Sequence, residues 1–136
     1  MRVVIDANVL IAAYAARGLC EATVELCIVN DDIILTQEII ADLEEKLIKK
    51  IKLPTANATA IATYLKGNAR LVEAAHIPRD ACRDPDDVSV WGAAISGEAE
   101  YIISGDDDLL SLKAYEDIPI VSPRQYWERF KRTERM

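Results

Sequence analysis

At 136 residues the chain has the length of one ordinary domain, and with 51% hydrophobic residues it can bury a core, which argues against disorder. A formal net charge of −7 argues against a protein that coats nucleic acid through a basic face, although a nucleic-acid enzyme whose acids hold a divalent metal remains open. Cys20, Cys27 and Cys82 form no C-x-x-C pair and His76 is the single histidine, so a disulfide framework and a structural zinc site are both disfavoured, and thiols in a reducing cytosol are expected.

The first element is "RVVID" (Arg2 to Asp6), a β-branched run ending in an acid and expected to be a buried strand. "VLIAAYAA" and "EATVELCIVN" read as helices separated by Gly18. "IILT" (Ile33 to Thr36) is a second strand. Ile40, Leu43, Leu47 and Ile51 then recur at helical spacing, which gives an amphipathic helix stopped by Pro54. "TANATAIATYLKGN" is a further helix with Gly67 expected as its C-terminal cap, and "ARLVEA" a third strand. "DPDDVSVWGAAISG" is a helix with Pro near its start and Gly near its end. "YIIS" is a strand, "DLLSLKAY" a short helix, "IPIVS" a last strand and "PRQYWERFKR" a terminal helix.

Strands alternate with helices and are apolar on both faces, the pattern of a parallel sheet covered on both sides. The expectation is a single α/β domain over residues 1–136, a three-layer α/β/α sandwich with a short, mostly parallel central sheet. No apolar run approaches the roughly twenty residues of a membrane span, and Asp6 follows Met1 too closely for a signal peptide. A cytoplasmic protein is expected.

In such a sheet ligands bind beyond the carboxyl ends of the strands. Asp6 ends the first strand, Glu38 and Asp42 lie in the first turns of the helix after "IILT", Asp84, Asp86 and Asp87 open a later helix, and Asp106 follows "YIIS". Four segments thus bring carboxylates to one edge, and oxygen-only clusters suit Mg²⁺ or Mn²⁺. Each acid has a plainer reading. Asp84 fits an N-cap before Pro85, Asp106 an N-cap with Asp107 and Asp108 complementing a helix dipole, and Asp42 a surface pair with Lys46. Asp6 is harder to read this way, because it interrupts an apolar run and a buried charge needs a partner.

"VVIDANVLIAA", "TQEIIADL", "RDPDDVSVWGAA" and "YIISGDDDLL" resemble, in order and spacing, the PIN-domain nucleases, and among them the VapC-like toxins of prokaryotic toxin–antitoxin pairs. The resemblance spans nearly the whole chain. It implies metal-dependent cleavage of RNA phosphodiesters, with Mg²⁺ or Mn²⁺ as cofactor, a homodimer, and a small antitoxin protein as partner. By position it assigns the metal-binding and catalytic acids to Asp6, Asp42, Asp87 and Asp106. Asp108 is a further metal-binding acid, and Asn8, Asp84 and Ser104 are supporting residues. The second acid is usually Glu in this family. Here it is Asp42, with Glu38 and Glu44 as alternatives, and Ala7 and Ala12 stand where hydroxyl residues are common.

An acidic site needs cations to hold an RNA backbone. Two sets are candidates: Lys46, Lys49, Lys50 and Lys52, and then Arg124, Arg129, Lys131, Arg132 and Arg135. Both also suit ordinary solvated helix ends. Trp91, Tyr126 and Trp127 could stack bases, although Trp91 shares a helix face with Val88 and Ile95 and is expected in the core. The helix ending "IATYLKGN" is either core packing or a groove or dimer surface. Two other functions stay open: a Mg²⁺-dependent phosphatase of haloacid-dehalogenase type, and a catalytically inactive PIN-like binding module. The phosphatase chemistry needs a second Asp where this chain has Asn8.

Overall fold

The computed structural model describes residues 1–16, 18–75, 85–105, 114–115 and 117–135, and for residues 85–88, 114–115 and 130–135 the backbone alone. The strands are β1 (Arg2–Ile5), β2 (Asp32–Leu35), β3 (Ala69–Leu71), β4 (Tyr101–Ile103), β5 (Ala114–Tyr115) and β6 (Ile118–Val121). The helices are α1 (Ala7–Ala15), α2 (Leu19–Asn30), α3 (Gln37–Lys49), α4 (Thr55–Asn68), α5 (Pro85–Ser96) and α6 (Pro123–Arg135). In space the strands run β3-β2-β1-β4-β6-β5. The first five are parallel and β5 pairs antiparallel with β6. This is the expected α/β sandwich.

Its core follows from the β-branched runs. Val3, Val4, Ile5, Ile33, Ile34, Leu35, Ile102 and Ile103 are all buried, as strands covered on both faces must be. The chain moves outward from β1 to β2 to β3, then returns to the other side of β1 as β4. α5 packs on β1, β2 and β4, while α2 packs on β2 and on α6. Two glycines allow α5 its close approach. A Cβ on Gly92 would lie 2.7 Å from the Ala75 carbonyl, and one on Gly97 would lie 2.6 Å from the Ile34 side chain.

Three local expectations need correction. Gly67 does not cap α4: the helix continues through Asn68 and turns directly into β3 at Ala69, and no glycine has positive φ. Ala114 and Tyr115 are not helical; they pair with Pro119 and Ile118 as an antiparallel edge strand, and the rest of the expected short helix lies outside the described residues. Ile95 is 37% exposed, so of the face shared with Trp91 only the tryptophan, 2% exposed, is confirmed as core. β3 is also more exposed than an apolar run implies, because it is an edge strand.

Candidate active site

The reversal of strand order falls between β1 and β4, where an open parallel sheet forms its crevice. Ile5 pairs with Ile103, so the next residues, Asp6 and Ser104, leave the sheet side by side. Val4 pairs with Ile34, which brings Thr36 to the same level on the other side. Asp6, Thr36 and Ser104 are the buried polar residues of this edge, at 6%, 0% and 0% exposure.

Asp6 has two structural roles at once. Its Oδ1 accepts from the Asn8 backbone N–H at 3.4 Å and caps α1, and its Oδ2 accepts from the Ser104 hydroxyl at 2.9 Å. The positive end of α1 also lies against its charge. Thr36 caps α3, accepting from Ile39 N–H at 3.2 Å. The cap fixes the start of the helix that carries Asp42. Asn8 is exposed in the first turn of α1.

On α3, Asp42 accepts from Lys46 at 3.1 Å, with side chains 35% and 23% exposed. The plainer reading of Asp42 as a Lys46 partner is thus realised, without removing the carboxylate from the α3 flank it occupies. Glu44 accepts from Thr59 of α4 at 3.0 Å. Asp42 is about 160° from Glu44 around a helix, so it lies on the flank away from α4. Glu38, one turn earlier on nearly the same flank as Asp42, is exposed. Of the three alternatives for the second acid, Glu44 is turned toward α4, and Asp42 and Glu38 remain on the other flank.

Asp87 lies in the first turn of α5, with its backbone alone described. Asp84, Asp106 and Asp108 lie outside the described residues. Among the described residues no three His, Cys, Asp or Glu side chains converge as a metal site. Of the proposed ligands only Asp6 and Asp42 have described side chains. The donors that are described at this edge, the Asp6 carboxylate with the Thr36 and Ser104 hydroxyls, are all oxygen. That donor set fits a hard cation such as Mg²⁺ or Mn²⁺ and has nothing to favour zinc or copper.

The proposed cations divide. Lys49 pairs with Glu45 in the open, at 72% and 58% exposure. α6 leaves the carboxyl edge after Ser122 and runs back along the sheet, so its basic residues are carried progressively away from Asp6. Arg129 lies over the buried Tyr101 ring, 4.5 Å from its centroid, at the opening residue of β4. Tyr126 is buried and donates to Asp31, which precedes β2. Neither Trp91 nor Tyr126 is a free stacking platform. α4 buries Ala58, Ala62 and Leu65 against the core, while Tyr64 is 43% exposed on its outer side. A cavity of about 520 Å³ lies between the end of α2 and α6, lined by residues such as Asp31, Tyr101, Tyr126 and Arg129, and borders neither Asp6 nor Asp42.

Sequence reasoning passed over one feature of the edge. Thr36 was legible only as the hydroxyl residue closing a strand; the parallel register sets it level with Asp6. Among the described residues no helix is long and apolar enough to cross a membrane.

The strand reversal between β1 and β4 thus places a buried aspartate level with two buried hydroxyl residues. The PIN domain family model matches residues 2–108, and the chain belongs to that family, which places it among the nucleases. A structural neighbour is the crystal structure of VapBC2 from Rickettsia felis bound to a DNA fragment from their promoter. It has a TM-score of 0.64 and 11% sequence identity, over 90% of this chain and 98% of that one. At that identity the likeness is one of fold. No curated protein matches the sequence.

Proposed function

We propose that the chain is a metal-dependent endoribonuclease acting as the toxin of a toxin–antitoxin pair. The observation that carries this reading is the buried Asp6 at the switch point, held by Ser104 in a chain that matches the PIN family from residue 2 to residue 108. The likeness to VapBC2 over 90% of the chain supports the toxin role with a small antitoxin protein as partner, and a homodimer is part of the same proposal. Family membership takes the place of the phosphatase alternative.

In this reading Asp6, Asp42, Asp87 and Asp106, with Asp108, would hold Mg²⁺ or Mn²⁺, which when bound would supply a water of lowered pKa and offset charge on the phosphoryl oxygens. The residues do the rest. Ser104 and the α1 amide hold the Asp6 carboxylate in one orientation, so both oxygens keep their geometry when RNA arrives. A neighbouring carboxylate takes the proton from the attacking water. Asn8 and Asp84 are supporting residues in the same proposal.

The test is incubation of the purified protein with mixed RNA, with and without EDTA, beside Asp6→Asn. Cleavage that needs divalent metal and is lost in a folded Asp6→Asn protein supports the reading. Cleavage by metal-loaded Asp6→Asn at the wild-type rate sinks the site assignment. Inertness of the wild type leaves the binding module as the function.

A further inference from the structure

Asp6 and Thr36 hold matching positions. Each is the first residue past its strand, the β1–β2 register sets them level, and each caps the helix that follows, α1 for Asp6 and α3 for Thr36. The Thr36 cap is the more enclosed. Its Oγ1 accepts from Ile39 N–H at 3.2 Å, with Thr36 0% and Ile39 2% exposed. At an open helix end water takes over an amide that loses its cap. Here solvent does not reach the pair, so the same loss leaves a buried N–H without an acceptor. α6 gives the contrast: Ser122 and Gln125 cap it reciprocally, at 3.1 and 2.8 Å, in the open. Apolar side chains such as Ile40, Leu43 and Leu47 press α3 onto the core without fixing its direction. The cap bond is directional. It sets the height and rotation at which α3 leaves β2, and so the placement of α3 against Asp6 on the neighbouring strand.

We propose that Thr36 is a positioning residue of the candidate site: its buried cap sets where α3 begins, and thereby where Asp42 stands against Asp6. The inference rests on the proposed function, with Asp6 and Asp42 as acids of one metal site. Asp42 follows Thr36 by about 9 Å along the helix axis. The hydrogen-bonded turns between them move as a unit, so a change in the first turn is carried to the carboxylate. A neutral cap also suits the place. β1 and β2 lie about 4.8 Å apart, and an acidic cap at Thr36 would set a second buried carboxylate beside Asp6. A cap that served stability alone would leave metal affinity untouched once the protein is folded.

The experiment compares Thr36→Val, Thr36→Gly, Thr36→Ser, Ser122→Ala and Asp6→Asn with the wild type. Tm is read in EDTA, and the Mn²⁺ dissociation constant by isothermal titration calorimetry at a temperature where every protein is folded. Thr36→Val keeps the shape and removes the cap. It is expected to lower Tm by several degrees and to weaken Mn²⁺ binding about tenfold, the scale of losing a group that orients a ligand. Thr36→Gly admits water to the Ile39 amide, so it is the milder variant and carries the test if Thr36→Val does not fold. It is expected to weaken Mn²⁺ in the same direction. Thr36→Ser keeps the hydroxyl and is expected to keep the wild-type affinity. Ser122→Ala also loses a cap and lowers Tm, with Mn²⁺ binding unchanged. Wild-type affinity in folded Thr36→Val or Thr36→Gly, with Asp6→Asn impaired, overturns the inference and leaves the site standing. Equal weakening in Ser122→Ala overturns it too, because the effect is then one of general stability. Asp6→Asn with wild-type Mn²⁺ binding overturns the placement of the metal site, and this inference with it.

Discussion

The Ser104 hydroxyl donates to Asp6 Oδ2 at 2.9 Å, joining two buried side chains 98 positions apart in sequence. The bond exists because β1 and β4 are parallel neighbours whose paired residues end together at Ile5 and Ile103. A carboxylate buried at 6% exposure between apolar strands is costly unless its oxygens are occupied. Ser104 occupies one of them and fixes its direction. Ser104→Ala is expected to lower RNA cleavage about tenfold, the lower end of what removing an orienting partner of a ligand costs, while the circular dichroism spectrum is retained. A wild-type rate in a folded Ser104→Ala protein means that Ser104 does not position Asp6.

A second long-range bond holds α6. Tyr126 donates to Asp31 across 95 positions, tying the C-terminal helix to the turn between α2 and β2. The tyrosine hydroxyl is pushed to higher pKa by burial and by that bond. Removing a hydrogen bond to a charged group costs about 1.5–3 kcal/mol. Tyr126→Phe is expected to lower Tm by several degrees and to raise amide exchange in α6 first. RNA cleavage at a temperature where both proteins are folded is expected to stay unchanged, since the bond lies at the edge opposite Asp6. Loss of cleavage without loss of stability contradicts this placement.

How far each feature was legible depends on what set it. The strands Arg2–Ile5, Asp32–Leu35 and Tyr101–Ile103 are short β-branched or aromatic runs, and composition alone marks them. The Asp42–Lys46 pair was legible because an i,i+4 pair needs only helical periodicity. The Ser104–Asp6 and Tyr126–Asp31 bonds were not, because each depends on which strands and helices become neighbours. Gly67 misled as a stop signal: no residue there needs positive φ, and the helix ends one residue later at Asn68 instead. Ala114 and Tyr115 carry helix-compatible composition, and pairing with β6 overrode it.

Cys27 makes a pH prediction. It is 0% exposed, and burial, with the Asp31 charge adding and the Tyr126 hydrogen bond opposing, pushes its thiol from 9.0 up to about 12. A folded pKa above the unfolded one stabilises the protein fully below pH about 9, and the contribution is lost as pH rises toward about 12. Cys20 shifts in the same direction through burial, so it is the comparison. Urea midpoints are expected to fall from pH 9 upward, and Cys27→Ala is expected to flatten that fall more than Cys20→Ala does. The native Cys27 thiol is also expected to resist thiol reagents at neutral pH until the protein unfolds. An equal slope in wild type and Cys27→Ala contradicts the assignment.

Gly92 tests the packing of α5, the helix whose first turn holds Asp87. Its carbonyl accepts from Ala75 N–H at 3.0 Å, and a Cβ there would lie 2.7 Å from the Ala75 carbonyl and 2.8 Å from the Ala74 Cβ. These neighbours are backbone and a methyl group, which cannot swing aside as a long side chain can. The higher helix propensity of alanine works in the opposite direction, by up to about 1 kcal/mol. Overpacking of about 1–3 kcal/mol is the larger effect. Gly92→Ala is therefore expected to be destabilising in urea titration. A stabilised Gly92→Ala protein shows that the 74–75 segment yields freely to α5.

The aspartates at 106, 107 and 108 give the last prediction. Ser104 fixes where β4 releases the chain, with its N–H bonded to the Val121 carbonyl at 3.0 Å and its hydroxyl on Asp6. Asp106 follows two residues later in the sequence and is the proposed ligand. Asp108 is the further proposed ligand, and no role in the site is proposed for Asp107. Three adjacent carboxylates repel one another, and a bound cation offsets that repulsion where no salt bridge is required. Asp106→Asn is expected to abolish most cleavage, Asp108→Asn to reduce it less, and Asp107→Asn to leave it near wild type. The Mn²⁺ thermal shift is expected to rank the three in the same order. Should Asp107→Asn prove the most damaging, the chain after β4 turns the other way and the assignment of the fourth acid moves by one residue.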